Sequence, residues 1–370
     1  MGETAQFGDE LGPAKIIHIR EPANGLRAVL VVDNVARGPS IGGVRLAPDV
    51  SVEECRRLAR AMTLKNAAAG LPHGGGKSVL WGDPKMPPAN KQALLRTFAH
   101  ALRNEHDYIC GPDMGTDETC MAWVKDEIGR AVGLPAALGG IPLDELGATG
   151  WGLLHCADVA ARHIGMQLDG ARLAIQGFGA VGRHAARFLA GHGVRLVAAS
   201  DTGGTIMDER GIDITALIAL KEQGRGVCDL PSGHKLERDA IVDVDCEIWI
   251  PAARPDVIDA RNVGRLRTKI VLQGANIPVT SDAEQALQAR NILVMPDFIA
   301  NAGGVICAAL EFAGATQGQA FQAIEEKIRA NSEAVLAAAA RQRVTPRAAA
   351  TALAVERVRA AMKTRRFNIM

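Results

Sequence analysis

Residues 173–182 read Leu-Ala-Ile-Gln-Gly-Phe-Gly-Ala-Val-Gly. A short apolar segment runs directly into three glycines with the spacing G-x-G-x-x-G, and residues 180–192 then have the composition of a helix. Because glycine makes up 40 of the 370 residues, chance alone gives about 0.5 matches to this spacing. The neighbouring sequence makes the match significant, because a second apolar segment, residues 196–200, follows the helix and ends at Asp201. Strand, glycine turn, helix and strand in this order predict a βαβ unit.

A βαβ unit with this turn has the features of a phosphate-binding site. Gly177 permits the tight turn, Gly179 lets a pyrophosphate approach the helix N-terminus, and Gly182 lets the helix pack against the strand. Asp201 can accept hydrogen bonds from an adenosine ribose. We therefore predict a dinucleotide site formed by these four residues and the rest of the turn, Phe178, Ala180 and Val181.

The charge of Asp201 bears on the choice of coenzyme. A carboxylate at this position repels a 2′-phosphate, and no arginine follows immediately, so the sequence favours NAD and leaves NADP as the alternative. Asp201 also has a purely structural interpretation, in which it only caps the turn of residues 201–204.

Apolar runs alternate with helix-like stretches from about residue 171 onward, which predicts an α/β fold with a parallel, doubly wound sheet. Residues 1–143 also mix strands and helices but place their glycines differently, so we expect a separate α/β domain there. Residues 144–315 then form the Rossmann-type dinucleotide domain, and residues 316–370 form C-terminal helices that return to the first domain. Pro346 is expected to begin the last helix. The later strands are expected at residues 248–250, 270–273 and 292–295.

Composition narrows the class of partner. There are 42 basic and 41 acidic residues, so no global field favours nucleic acid or an anionic membrane. The N-terminus lacks a signal pattern and no apolar run reaches about eighteen residues, which leads us to expect a cytoplasmic protein. The seven cysteines are scattered without a C-x-x-C pair, so they are expected to be reduced and mostly buried, with no metal site. Small molecules are the expected partners.

A second glycine-rich stretch, residues 71–77, reads Leu-Pro-His-Gly-Gly-Gly-Lys. It fails as a P-loop, because the position of the first required glycine holds Leu71 and Gly70 misses by one residue. Glycines admit the close approach of another molecule, so we interpret the stretch as a loop that places Lys77 against a ligand. The alternative is a structural glycine turn.

Lys65 lies upstream, on a helix that Ser51 and Glu54 begin as a capping box and Gly70 ends. Its spacing from the apolar residues Leu58, Met62 and Ala69 puts it on their face of the helix. One lysine could then bind a carboxylate while Lys77 performs proton chemistry. Lowering a lysine pKa from about 10.4 to about 7–8 costs roughly 4 kcal/mol, and burial and a like charge such as Lys65 are the expected sources. In the alternative interpretation Lys65 extends to solvent.

Asp113 follows a predicted strand end at residues 108–112 and is flanked by turn-forming residues. Asp117 and Glu118 then open a helix. Asp113 is either a turn or cap carboxylate or a group that holds or deprotonates an amine.

These segments, taken together, resemble the glutamate/leucine/phenylalanine/valine dehydrogenases, and the resemblance runs from about Pro22 to Ala315. The matching segments, in the family's order, are Gly42-Gly43-Val44-Arg45, Met62-Thr63-Leu64-Lys65, Gly74-Gly75-Gly76-Lys77, Pro112-Asp113-Met114-Gly115-Thr116, Ala148-Thr149-Gly150, residues 177–182, Gly274-Ala275-Asn276, Pro296-Asp297 and Asn301-Ala302-Gly303-Gly304.

The resemblance implies reversible oxidative deamination of an L-amino acid to a 2-oxo acid and ammonium, with hydride transfer to the nicotinamide. It also implies a closing cleft between the two domains and homo-oligomers formed through the first domain. Lys65 resembles the lysine that binds the α-carboxylate, supported by Gly42 and Asn301. Lys77 resembles the lysine that activates water, and Asp113 the carboxylate that handles the amino-group proton. The coenzyme positions implied by the family are Thr149, Gly177, Gly179, Gly182, Asp201, Asn276 and Asn301.

The family also bears on the side chain of the substrate. Glutamate-specific members carry a lysine before the Gly-Gly pair and a serine seven residues after the asparagine, where this chain has Ile41 and Ala308. A substrate carboxylate beside these residues would cost several kcal/mol, so we expect an apolar substrate. Gly111 and Val305, with Ala308, are small enough to admit a large side chain. The alternatives are a glutamate dehydrogenase and, more remotely, a non-catalytic amino-acid or dinucleotide sensor.

Overall fold

Five strands form one mixed sheet in the first part of the chain, whose computed structural model describes residues 8–370. They are β1 (Lys15–Glu21), β2 (Leu26–Asn34), β3 (Ser40–Ala47), β4 (Gly74–Trp81) and β5 (Tyr108–Pro112). Their spatial order is β1-β2-β4-β3-β5, with β3 parallel to both β4 and β5. β2, β3 and β4 are buried along nearly their whole length, as expected for strands that are covered on both faces.

The helices of this part are α1 (Val52–Ala68), α2 (Pro88–Ala101) and α3 (Glu118–Ile128). α1 begins where the capping residue predicts, because the hydroxyl of Ser51 accepts a hydrogen bond from the Glu54 backbone at 3.1 Å. α3 begins in the same way, with the Asp117 carboxylate accepting from the Cys120 backbone at 2.9 Å. Both predicted helix starts are confirmed.

The expected glycine loop before Lys77 is wrong, because Gly74, Gly75 and Gly76 open strand β4. None of the three has a positive φ, so a turn does not explain them either. A Cβ atom on Gly75 would overlap the backbone of Thr63 in α1. Gly75 therefore lets α1 lie directly against the sheet, which an ordinary side chain at this position does not allow.

The second sheet has seven strands, of which the first, second and last three were expected. They are β6 (Arg172–Gln176), β7 (Arg195–Asp201), β8 (Gly204–Met207), β9 (His234–Leu236), β10 (Ile248–Pro251), β11 (Ile270–Leu272) and β12 (Leu293–Met295). Their order is β12-β11-β10-β6-β7-β8-β9, and the strands from β12 to β7 are parallel, so the doubly wound sheet is confirmed. β8 and β9 are antiparallel additions, because the chain turns back directly after Asp201.

The remaining helices surround this sheet or close the chain. They are α4 (Leu143–Leu146), α5 (Ala148–His163), α6 (Ala180–Ala190), α7 (Ile214–Glu222), α8 (Ser281–Ala289), α9 (Asp297–Ala300), α10 (Gly303–Phe312), α11 (Gln317–Gln342) and α12 (Pro346–Met362). α12 begins at Pro346, as expected.

The chain forms two compact units. The first unit extends to residue 142 and includes residues 305–320 and 351–370, and the second unit consists of residues 143–304 and 321–350. This division differs from the expected one in the last third, where the chain passes between the units three times. All seven cysteines are free, and six of them are buried. Across residues 8–370, no helix is both long and apolar enough to cross a membrane.

Candidate active site

Lys77 and Asp113 form a buried ion pair in the first unit. Lys77 lies on β4 and is only 4% exposed, and its Nζ donates to Oδ2 of Asp113, which directly follows β5. Gly43 lies on β3 between the two strands. A Cβ atom there would come within 2.7 Å of the Asp113 Cβ and 3.0 Å of the Lys77 Nζ. The pair therefore requires glycine at position 43.

Asp113 is held on its other oxygen as well. Oδ1 accepts from Nε of Arg45 at 3.0 Å and from the backbone of Met114 at 2.6 Å. Burial raises the pKa of Asp113, but the charges of Lys77 and Arg45 outweigh it and lower that pKa to about 2. The carboxylate is therefore ionised at neutral pH in spite of its burial.

Tyr108, the single tyrosine of the chain, fixes the strands behind this pair. Its hydroxyl donates to the carbonyl of Gly42 at 2.9 Å and lies 3.0 Å from the hydroxyl of Ser78. It thereby links β5 to β3 and β4. Burial raises the pKa of Tyr108 well above its ordinary value, so the phenol stays neutral. Gly42 is tightly packed, because a Cβ there would overlap the carbonyl oxygen of Gly76.

Lys65 does not lie on the buried face of α1. Lys65 and its expected neighbours Leu58 and Met62 are half-buried, whereas Ala69, the fourth residue of the predicted face, is buried. The helix instead packs through its smaller side chains, Cys55, Ala59, Thr63, Asn66, Ala67 and Ala68. Lys65 lies in the last turn of α1, and its role toward a substrate carboxylate stays a prediction. The ammonium of Lys77 contacts the carboxylate of Asp113.

The residues expected near the substrate side chain all belong to the first unit. Ile41 and Ala308 are buried and Val305 is half-buried. A Cβ atom on Gly111 would lie 3.5 Å from Cγ2 of Val132, an ordinary contact distance. Gly111 therefore has room for a methyl group, in contrast to Gly42.

The glycine turn of the second unit has the three properties that the fingerprint requires. Gly177 has a φ of +93°, and a Cβ there would approach the backbone nitrogen of Ala253 to 2.7 Å. Gly179 has open space at its Cβ position, while a Cβ on Gly182 would overlap the carbonyl oxygen of Gly177. These are the tight turn, the open approach for a phosphate and the close helix packing of a dinucleotide site.

A cavity of about 1010 Å³ lies at the carboxyl ends of β6 and β7. Within the described part of the chain, Oε1 of Gln176 and Oγ of Ser200 are buried there without a hydrogen-bond partner. Oδ1 of Asn301 is likewise buried and unpartnered, while its amide nitrogen donates to the carbonyl of Ala275 at 3.0 Å. Buried polar atoms normally have partners, so these atoms fit a polar ligand such as NAD or NADP.

Asp201 is held from several sides at the edge of this cavity. Its Oδ1 accepts from the backbone of Gly203 at 2.9 Å, as the turn interpretation expects. Its Oδ2 accepts from Nζ of Lys221 at 2.7 Å and from the backbone of Val227 at 2.9 Å. Burial raises the pKa of Asp201, but these donors outweigh it and lower the pKa below its ordinary value. The carboxylate that was expected to repel a 2′-phosphate is thus neutralised by Lys221.

The other expected coenzyme residues are placed as follows. The ring of Phe178 is buried in the core, so only its backbone belongs to the turn. Ala180 and Val181 begin α6, where backbone N–H groups are free of helical partners. Thr149 lies in the first turn of α5, and Asn276 is exposed in the loop after β11.

Sequence reasoning missed Gly43, Arg45 and Lys221. The first two stood inside the segment Gly42-Gly43-Val44-Arg45, which carried part of the resemblance, but nothing in the spacing assigned them a partner. Lys221 lies 20 residues after Asp201, and only the folded structure, which brings the end of α7 to the end of β7, reveals the contact. Ser200 and Gln176 could have been found as polar ends of the two apolar strands.

Models of one family match nearly the whole chain. Residues 13–130 match the Glu/Leu/Phe/Val dehydrogenase dimerisation domain, and residues 139–366 match the Glutamate/Leucine/Phenylalanine/Valine dehydrogenases. A glutamate dehydrogenase from Thermotoga maritima is 36% identical over 355 residues, which cover 90% of this chain and 85% of the relative. An NADP-specific glutamate dehydrogenase from Saccharolobus shibatae is 35% identical over 356 residues, covering 90% of this chain and 83% of the relative.

Solved structures agree with the sequence matches. The hetero-hexameric glutamate dehydrogenase from Thermus thermophilus, in its Leu-bound form, superimposes with a TM-score of 0.87 at 29% identity, covering 96% of this chain and 91% of the other. L-tryptophan dehydrogenase from Nostoc punctiforme gives a TM-score of 0.74 at 25% identity, with coverages of 95% and 97%. The chain therefore belongs to the glutamate/leucine/phenylalanine/valine dehydrogenases, NAD(P)-dependent oxidoreductases that act on amino acids.

Proposed function

We propose that Lys77 and Asp113 carry the proton steps of the reversible oxidative deamination. The buried ion pair between them is the observation that supports this. NAD or NADP, when bound, supplies the acceptor for the hydride of the substrate Cα. Asp113 is ionised above a pH of about 2 and accepts a proton from the α-ammonium group. Lys77 then activates the water that attacks the iminium carbon.

Lys65, with Gly42 and Asn301, binds the α-carboxylate. The turn at residues 177–182, with Asp201, holds the coenzyme, joined by Thr149, Asn276 and Asn301. The positive charge of Lys221 balances the negative charge of Asp201, so repulsion of a 2′-phosphate is reduced, which supports the use of NADP as well as NAD.

L-Glutamate is the first candidate substrate. Its support is the name of the whole-chain relatives, which are glutamate dehydrogenases at 35–36% identity. In this proposal the side-chain carboxylate is bound by groups other than the lysine and serine that the family places at positions 41 and 308.

An apolar L-amino acid is the second candidate. Ile41 and Ala308 are both buried and offer no charge or hydrogen bond to a second carboxylate. The tryptophan dehydrogenase with the same fold agrees with a large apolar substrate.

A coenzyme-reduction screen over the L-amino acids, run with NAD and with NADP, tests both candidates. Preference for glutamate supports the first, and preference for leucine, valine, phenylalanine or tryptophan overturns it in favour of the second. Binding of amino acid and coenzyme without turnover would instead favour a sensor. The pairing of Lys77 with Asp113 argues against a sensor, since binding alone needs no proton-transfer lysine.

The match of residues 13–130 to a dimerisation domain supports a homo-oligomer that forms through the first unit. Sedimentation of the purified chain measures the assembly, and a monomer at micromolar concentration would contradict it.

A further inference from the structure

We propose that Arg45 is a positioning residue, which holds one oxygen of the Asp113 carboxylate so that the other oxygen alone receives the substrate proton. The inference rests on the proposed role of Asp113 and extends it to a residue without an assigned task.

The geometry around Asp113 divides the two oxygens between two tasks. Oδ1 is occupied by Nε of Arg45 at 3.0 Å and by the backbone of Met114 at 2.6 Å. Oδ2 faces Nζ of Lys77 beside the position where Gly43 has no side chain. A carboxylate with one oxygen fixed in this way cannot rotate, so its reactive oxygen keeps one direction.

Arg45 is itself fixed from the other side. Its Nη1 donates to the carboxylate of Glu54, in the first turn of α1. The side chain of Arg45 is 17% exposed, whereas that of Glu54 is 34% exposed. The four side chains thus form an alternating row of charges, Lys77, Asp113, Arg45 and Glu54, that runs from the sheet interior toward solvent.

The charged surroundings of Asp113 make Arg45 the second cation of the site. Lys77 on β4 and Arg45 on β3 face the carboxylate directly, Glu54 on α1 acts through Arg45, and the neutral Tyr108 phenol lies behind it on β5. Removal of Arg45 leaves Lys77 as the only cation facing Asp113 among these groups. The pKa of Asp113 then rises, because burial favours the neutral acid.

The proposal is tested by steady-state kinetics of the Arg45→Met variant, with Glu54→Gln as the matched control. We expect the kcat for amino-acid oxidation to fall about 100-fold in Arg45→Met, the loss that a displacement of about 1 Å produces, with the coenzyme KM unchanged. Glu54→Gln keeps the Nε contact to Asp113, so its kcat should stay within about fivefold of the parent. Equal losses in the two variants would show that Arg45 only fastens α1 to the sheet, which overturns the proposal.

A titration of the side-chain carboxyl carbons, labelled with carbon-13, gives a readout that does not depend on turnover. The Asp113 signal is assigned by its loss in Asp113→Asn. In the parent we expect it to remain ionised down to acid unfolding, and in Arg45→Met we expect its midpoint to move into the pH range of the folded protein. Identical titrations in the two proteins would overturn the proposal.

Two further outcomes, a variant that does not fold and a parent without activity, can be distinguished from failure of the proposal. If Arg45→Met does not fold, Arg45→Lys keeps the cation without the Nε contact and should show an intermediate kcat with an ionised Asp113. A kcat equal to the parent's in Arg45→Lys would count against positioning. If the parent oxidises no amino acid, the proposed function fails, while the carboxyl titration still decides whether Arg45 controls Asp113.

Discussion

Lys77 and Asp113 illustrate what a single side chain reveals in a sequence. Lys77 stands out in the sequence because glycines precede it, and Asp113 stands out because turn-forming residues flank it. Each residue also has a purely structural interpretation, a glycine turn for the segment before Lys77 and a turn or cap carboxylate for Asp113. Neither local pattern indicates that the two residues pair. Their pairing across 36 positions arises only because β4 and β5 both pair with β3.

Lys77→Ala should abolish most of the turnover. The expected fall in kcat is about 10²- to 10⁴-fold, the contribution of a general acid or base. NADH affinity, measured by fluorescence titration, should be unchanged, because the residues proposed to bind the coenzyme belong to the second unit. The exposed Lys85→Ala serves as control, and near-normal activity in Lys77→Ala would refute the assigned role.

Lys221→Met should shift the coenzyme preference toward NAD. Without the ammonium at 2.7 Å, the charge of Asp201 is no longer balanced and repels a 2′-phosphate. We expect kcat/KM for NADP to fall about tenfold more than that for NAD, equivalent to about 1.4 kcal/mol. Lys235→Met, on the exposed strand β9, is the control, and equal losses with both coenzymes would contradict the prediction.

Helices and strands are predictable from this sequence where the residues that begin or end them are close together in the chain. Caps, apolar runs and the glycine fingerprint act over a few residues, and the starts of α1, α3 and α12 follow them. The error at Gly74–Gly76 has a physical cause. Glycine is suited both to a turn and to a position where another backbone packs closely. The sequence does not show that α1 packs against β4.

Gly75→Ala tests this packing interpretation. The new methyl group would overlap the backbone of Thr63, which cannot move aside as a side chain can, so we expect a loss of about 1–3 kcal/mol in the free energy of unfolding. Gly111→Ala on β5 of the same sheet adds the same group at an ordinary 3.5 Å contact and is the matched control. Urea denaturation measures both, and equal stabilities of the two variants would exclude the packing contact as the reason for the glycine.

At the scale of the whole molecule, the chain passes from one unit to the other and back, and its C-terminal segment completes the first unit. The backbone of Val35 donates to the carbonyl of Ile369 at 2.8 Å, and Nε of Arg365 donates to the carbonyl of Ala36 at 2.8 Å. The last residues therefore support the connection between β2 and β3, which precedes them by more than 300 positions.

A chain that ends after Ala350 should lose activity and retain coenzyme binding. Its second unit is complete, whereas its first unit lacks the buried Ala354 and Val358 and the contacts of the C-terminal segment. Calorimetry should show a lowered melting transition, while NADH titration still shows binding. Phe367→Ala, an exposed position in the same segment, is the control, and an unaltered melting transition of the shortened chain would contradict this.

The sequence by itself determined the α/β class, the parallel strands of the dinucleotide unit and the helix caps, and it singled out the candidate site residues, because these signals depend on short-range periodicity and on the backbone freedom of glycine. Tertiary structure decided which of those residues meet. The pairs Lys77 with Asp113, Arg45 with Asp113, and Asp201 with Lys221 span 36, 68 and 20 positions. Coulombic contacts between residues so far apart depend on strand order and helix packing, and neither leaves a local trace in the sequence.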